Sequence, residues 1–424
     1  MITSTTENWY EPEVSQVIAM LDIKLIKAEI EDLRKGGPRV KDIVIPQEWR
    51  EFVFESGIAG SCNFHVKIVF EDGSRWVMRI RRRYAHRYSD QPLQLNLESE
   101  VATLRALHAA GIAVPNAWTR PMASKLHPKL IYCYQTWLPG EAFRADYRRI
   151  PFLKPTLDSA TIRHIRGLAE WFIKMEKCTF DKVGSLTFAQ KEHQEIVVGP
   201  LIERHPAYLE PPFYQEPFTT SKERWLAIIQ KRMDFVLSRE YCAPSWELKF
   251  YLALLDVKCL VNQCSEMNDP GPFYIKHDDD RFDHIRAKES GEVTGILDWE
   301  WAYTTNKQEA FAAPNGFVPP EYHEGKNDSL SDREIALINA YESLQRPDLA
   351  ECVKNGRKYH RLVDLLRHNI INIGVINALE RSFLNLPDTH TGQPSTMENW
   401  IDAKKEEYRS DKGLQTLLRM QSAR

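Results

Sequence analysis

The sequence predicts an α+β protein of two unequal lobes, a small antiparallel β-sheet lobe followed by a larger, mainly helical one. Three observations carry this. Strand-like runs with hairpin signals concentrate between residues 43 and 137. Helical apolar periodicity dominates from residue 157 onward. One strand-rich stretch, 273–302, interrupts those helices with a dense set of carboxylates and histidines. At 424 residues, 43% hydrophobic and 11% aromatic, the chain can bury sizeable cores in two domains or one bilobal unit.

Taken in order, Val14, Val17, Ile18, Leu21, Leu25, Ile26, Ile30 and Leu33 form a helical stripe that stops at Gly36-Gly37-Pro38. Residues 1–42 therefore read as a helical extension. The small lobe, 43–137, begins with Phe52-Val53-Phe54 and a bend containing Gly57, Gly60, Ser61 and Asn63. Val66–Phe70 then meets Trp76–Ile80 across Asp72-Gly73, a strong hairpin signal. Leu95–Ala109 reads as a helix with Glu100, Leu104 and Leu107 on one face. Val114-Pro115 and Leu130–Tyr134 supply two further strands, and Leu138-Pro139-Gly140 closes the lobe.

The helical lobe, 138–424, predicts helices near 157–177, 221–239, 245–265, 331–345, 348–382 and 396–419. The proline-rich stretch 205–217 is a loop within it. Cys259 and Cys264 fall on an apolar helix and read as packing.

Within 273–302, Phe273-Tyr274-Ile275 suits a buried strand, followed by His277, Asp278, Asp279, Asp280, Asp283 and His284. A strand pair turned at Ser290-Gly291 ends in Val293–Leu297, with Asp298 at its mouth. Three aspartates alone would read as a solvated turn. Flanked by His277 and by an apolar strand ending in Asp298, they read as a site. Two carboxylates in one cleft suit phosphoryl transfer, one to take the acceptor's proton and one to hold Mg²⁺ on the phosphates. Trp299 and Trp301 read first as core residues, with an acceptor pocket as the alternative.

Composition narrows the other possibilities. A net charge of −3 gives no global surplus for nucleic acid, and the basic run from Arg79 to Arg83 lacks interleaved aromatic platforms, so it reads as a solvated face. No run approaches the ~18–20 apolar residues of a membrane span. The seven cysteines form no CxxC pair, which fits reduced thiols. With no secretory pattern at Met1–Trp9, a cytoplasmic protein is expected. HExxH is absent, and Gly60-Ser61 lacks the flanks of a nucleophile elbow.

Residues 277–299 resemble the catalytic segment of the aminoglycoside phosphotransferase family, relatives of the protein kinases, and most closely its fungal members. The family's H-x-D motif is met by His277 and Asp279, and its apolar strand ending in Asp-Trp by Gly295-Ile296-Leu297-Asp298-Trp299. The resemblance spans about residues 50–320 and implies a bilobal, kinase-like fold. It implies an ATP- and Mg²⁺-dependent transfer to a small-molecule hydroxyl, with Asp279 as base, His277 as loop support and Asp298 as metal ligand. Where the family has a metal-binding Asn, with four residues between it and the H-x-D motif, this chain has His284. Imidazole can ligate a metal but Mg²⁺ prefers oxygen, so either Asp283 or water fills that position, or the site runs on one metal, or transfer is weakened. Two alternatives follow: a pseudokinase-like nucleotide-binding protein, or an enzyme of other activation chemistry such as nucleotidyl transfer. The resemblance further places Gly57, Gly60, Ser61 and Asn63 in a phosphate-covering loop and Arg79, paired with Glu100, on the phosphates. Backbone groups near Thr136 and Leu138 would hold adenine. The acceptor and the oligomeric state are not legible.

Overall fold

The structure, a computed structural model, describes residues 10–45, 62–83, 88–143, 157–190, 195–238, 244–279, 282–386, 394 and 396–422. The first helical stripe is two helices, α1 (Tyr10–Met20) and α2 (Ile23–Leu33). The break is a cap that periodicity cannot show: the Asp22 carboxylate accepts the N–H groups of Lys24 at 2.8 Å and Leu25 at 3.1 Å. Val14, Val17, Ile26 and Ile30 bury against one face of a sheet containing Phe64, Val66, Ile68, Met78 and Tyr134.

That sheet contains β1 (Val40–Val44), β2 (Asn63–Phe70) and β3 (Arg75–Arg81), the last two forming the predicted hairpin with Ile68 opposite Trp76. The helix α3 (Asp90–Ala109) covers its other face, starting five residues earlier than its periodicity indicated. β4 (Ala117–Thr119) and β5 (Tyr132–Thr136) complete an antiparallel sheet of order β1-β2-β3-β5-β4 among the described residues. Val114-Pro115 precede β4 rather than joining it. Proline has no N–H to give a ladder, and Val114 instead buries in the cluster beneath α3.

The helical lobe follows: β6 (Glu141–Ala142), α4 (Ser159–Met175), β7 (Thr179–Phe180), β8 (Ser185–Phe188), β9 (Ile196–Gly199), α5 (Ser221–Ser238) and α6 (Pro244–Gln263). The strand-rich stretch holds β10 (Phe273–Lys276), β11 (Ile285–Ala287), β12 (Val293–Ile296) and β13 (Tyr303–Thr305). β10 pairs between β13 and β7, whereas β11 pairs between β12 and β6. The chain continues through α7 (Lys307–Ala310), α8 (Pro320–His323) and α9 (Asp332–Ser343) to α10 (Pro347–Lys354), α11 (Arg357–Leu366) and α12 (Ile373–Leu384). It ends in α13 (Met397–Glu407) and α14 (Lys412–Ser422).

Two helices predicted as continuous are divided. The stretch 348–382 is three helices, the last begun by Asn372, whose side chain accepts the Val375 N–H at 2.9 Å. The tail is two helices, divided where Asp411 accepts from Leu414 N–H at 2.8 Å and from the Tyr251 hydroxyl at 3.1 Å. Side-chain caps mark where α12 and α14 begin. Cys259 is exposed rather than packed, and Trp299 and Trp301 are buried, as core residues should be. Among the described residues no helix is long and apolar enough to cross a membrane.

The β11–β12 hairpin sits directly on α4. A Cβ at Gly167 would lie 1.9 Å from the Gly291 carbonyl oxygen, and one at Gly291 would lie 2.5 Å from that of Arg163. Gly291 also has φ +94°, the left-handed turn position glycine favours.

Candidate active site

Two loops meet at Leu297. His277, the first residue after β10, bonds through Nε2 to the Leu297 carbonyl at 2.9 Å, and the Leu297 N–H donates to the His284 carbonyl at 2.9 Å. The 277–284 loop is thereby tethered to the residue before Asp298. The His277 and His284 rings stack at 4.4 Å, and Trp299 packs edge-on to His277 at 4.7 Å. Apolar β12 ends here because the backbone turns into the left-handed region at Asp298, φ +65°, which aspartate tolerates better than most residues. Gly295 permits the approach of Leu138 from the lobe junction, since a Cβ there would fall 2.3 Å from Leu138 Cδ1.

Asp298 is ion-paired with Arg79 of β3. Arg79 also lies 3.5 Å from Glu100 of α3 and 3.5 Å from Glu300. Its strand neighbour on the same face, Arg81, binds both acids more closely, Glu100 at 2.7 Å and Glu300 at 2.5 Å. Gln135 donates to Glu100 at 3.0 Å. Burial alone would raise the Asp298 pKa, but Arg79, with His284 and His277, holds the carboxyl well below the usual range. Glu300 moves the other way: burial pushes it up to about 7 despite Arg81.

These contacts correct two expectations. The basic run is no solvated face: Arg79, Arg81 and Arg82 are buried, Arg82 against Glu13 of α1 at 3.1 Å. The carboxylates that neutralise them come from distant segments. Asn63 does not lie on a covering loop. It opens β2, buried, accepting from Arg81 at 2.7 Å and donating to Glu300 at 3.4 Å. Gly57, Gly60 and Ser61 lie outside the described residues. Arg81 and Glu300 escaped sequence reasoning, although each stands two residues beyond a residue it had singled out.

On the helical side, Asp279 faces Arg204, 3.8 Å away. Asp278 is buried and ion-paired with Arg367, which also donates to the Asp278 carbonyl at 3.0 Å, and burial lifts its carboxyl to about 6. His284 Nδ1 lies 3.2 Å from Asp283, while its Nε2 is buried with no hydrogen-bond partner. Asp280 is outside the described residues. Thr136 is half-buried at the sheet edge, its hydroxyl accepting the Asn116 N–H at 2.9 Å and its own N–H bonding the Asn116 carbonyl at 2.9 Å. Arg79, Glu100, Asp298 and His284 are thus brought together, with Leu138 packed against Gly295 beside them, whereas Thr136 is engaged with Asn116. Among the described residues, no three His, Cys, Asp or Glu side chains are grouped to hold a metal ion.

The chain was compared with known proteins. No curated protein matches it significantly. Among solved structures, a putative fructosamine-3-kinase from Thermobifida fusca is 12% identical with a TM-score of 0.45, the match covering 86% of this chain and 100% of that one. Plasmodium vivax ethanolamine kinase is 12% identical with a TM-score of 0.41, covering 91% and 95%. The macrolide 2'-phosphotransferase of Brachybacterium faecium is 14% identical with a TM-score of 0.39, covering 85% and 99%. A sequence model of the phosphotransferase enzyme family matches residues 56–305, a span that takes in β2, β3, α3 and both loops tethered at Leu297, and the chain belongs to that family.

Proposed function

We propose that the protein transfers the γ-phosphoryl group of ATP to a hydroxyl of a small molecule. The observation that carries this reading is the double tether at Leu297, which sets the Asp279 loop beside Asp298 at the lobe junction. Asp279 orients the acceptor hydroxyl and takes its proton as the new O–P bond forms and the bond to ADP breaks. His277 keeps that loop in register. Arg79, a planar fork with Glu100 behind it, turns from Asp298 to the phosphates when nucleotide enters. Catalysis of this kind is positioning and electrostatics, so these few groups suffice.

The donor set fits a Mg²⁺ ion of the usual nucleotide-bound kind. Such an ion takes one or two protein carboxylates and otherwise phosphate and water oxygens, so no three-residue cluster is required. Asp298, ionised and with its side chain 34% exposed, would be the protein ligand. Bound there, the ion would neutralise and align the phosphates.

A second reading, nucleotide binding without turnover, is favoured by His284 in the family's Asn position. Mass analysis of nucleotide after incubation with ATP, Mg²⁺ and a small-hydroxyl library separates the cases. ADP formed together with a phosphorylated acceptor supports transfer. AMP with pyrophosphate indicates nucleotidyl chemistry, and bound but unchanged ATP indicates the inactive binder.

A further inference from the structure

We propose that the acceptor carries an anionic group, a carboxylate or a phosphate ester, held by Arg204 and Arg367 beside Asp279. This deepens the transfer reading and rests on it. The charged groups around Asp279 come from segments that the nucleotide side does not use: the loop after β9, α5 and the end of α11.

Their arrangement is asymmetric. Arg204 is the more open member, its side chain 39% accessible, with the Asp279 carboxylate 3.8 Å away. Arg367 is partly open at 18% and grips the buried Asp278. Behind them Arg232 is buried. Its Nε donates to the Leu366 carbonyl at 3.1 Å, its Nη1 has no hydrogen-bond partner, and no carboxylate among the described residues pairs with it. A buried guanidinium left so is costly, and burial outweighs the help it has from the nearby Glu203 carboxylate.

Two acids nearby are withdrawn from solvent, and the exposed Asp283 lies against His284 instead. Glu203 is 8% exposed and lies 3.9 Å from Arg224, and Asp278 is 3% exposed. His205 adds no charge: its Nδ1 accepts the Ala207 N–H at 2.9 Å, and burial holds the ring neutral. Beside Asp279 an approaching molecule therefore meets the Arg204 guanidinium rather than Glu203 or Asp278. A cationic acceptor would be repelled there, whereas a carboxylate or phosphate matches the planar forks of Arg204 and Arg367.

The test uses the full chain and acceptor sets matched in carbon skeleton, from three to ten carbons. Each set holds a hydroxy acid, a phosphate monoester, a neutral polyol and an amino alcohol. Binding is measured calorimetrically with a non-hydrolysable ATP analogue, and turnover by ADP release. The expected result is that anionic members bind and turn over in preference to their neutral and amino counterparts. The hydroxy-acid and phosphate arms then show which anion is preferred. Arg204→Gln should cost roughly ten- to a hundredfold in kcat/KM for the anionic acceptor, through KM, with Arg204→Lys recovering part of the loss. ATP-analogue affinity, measured separately, controls for folding. Preference for neutral or amino members, no binding of any anionic member, or anion binding indifferent to Arg204→Gln would each overturn the proposal. Anion binding that depends on Arg204 without ADP formation would instead uphold this site and refute phosphoryl transfer.

Discussion

Arg79 and Arg81 in the sheet lobe, and Arg204 and Arg367 in the helical lobe, both border the tethered loops, yet they are partnered very differently. The first pair shares Glu100, Glu300 and Asp298, with Asn63 filling a remaining donor, and is almost wholly buried. The second pair has Asp278 and a longer contact to Asp279, and it reaches solvent. Within the buried set Arg81 is expensive to remove, because its loss strands Glu100 and Glu300. A partly satisfied, exposed set costs little to alter and is ready for a ligand. The contrast separates Arg81, which holds the framework, from side chains of the same type that face a ligand.

The largest expected effect tests the point between the two clusters. Asp279→Asn should lower kcat roughly 10²–10⁴-fold while ATP-analogue affinity and the melting temperature hold, measured by ADP release and calorimetry. A fall of less than tenfold would remove Asp279 as the base. Next, Arg81→Met should destabilise the fold by about 3–5 kcal/mol in urea unfolding, because Glu100 and Glu300 lose their closest partner in a buried setting. Arg204→Gln in the same assay should cost about 1 kcal/mol or less. Equal losses would erase the distinction drawn between the clusters.

A pH series sharpens it further. Unfolded, Glu300 ionises near its ordinary value of 4.5, but in the fold it keeps its proton to about 7. Across that window the native state binds more protons, so the Glu300 contribution makes stability fall as pH rises and then level off. Glu300→Gln should flatten that part of the melting-temperature profile. Asp298 has the opposite sign, its contribution present above the aspartate range and lost as pH falls. The smallest effect is expected from His284→Asn, which should tighten Mg²⁺ on the bound nucleotide by about tenfold or less. A weaker ion or a slower reaction would show that the imidazole has its own part.

Legibility followed distance along the chain. His277, Asp279 and Asp298 stand on local signals, a short apolar strand and a turn, and the hairpin at Asp72-Gly73 was equally local. Arg79 with Glu100 was reachable because strand and helix are successive. Arg204 and Arg367 were not, since nothing in the residues around them says that a loop and a helix end far apart in the chain bring them to the 278–279 loop. Arg81 failed for another reason: alternation along a strand tells which residues share a face, but the acids opposite it are supplied by the fold. The divided helices failed because Asp22, Asn372 and Asp411 cap new helices through hydrogen bonds that apolar spacing does not report.

The contact of Gly167 with Gly291 has a consequence for how the protein can vary. Main chain rests on main chain there, with no side chain to yield, so a single added methyl acts as a wedge under the strand leading to Asp298. Such a lesion would leave every reacting group chemically intact and merely mis-aimed. Loss-of-activity alleles that still accumulate as folded protein should therefore be sought at this seam, well away from the residues that do the chemistry.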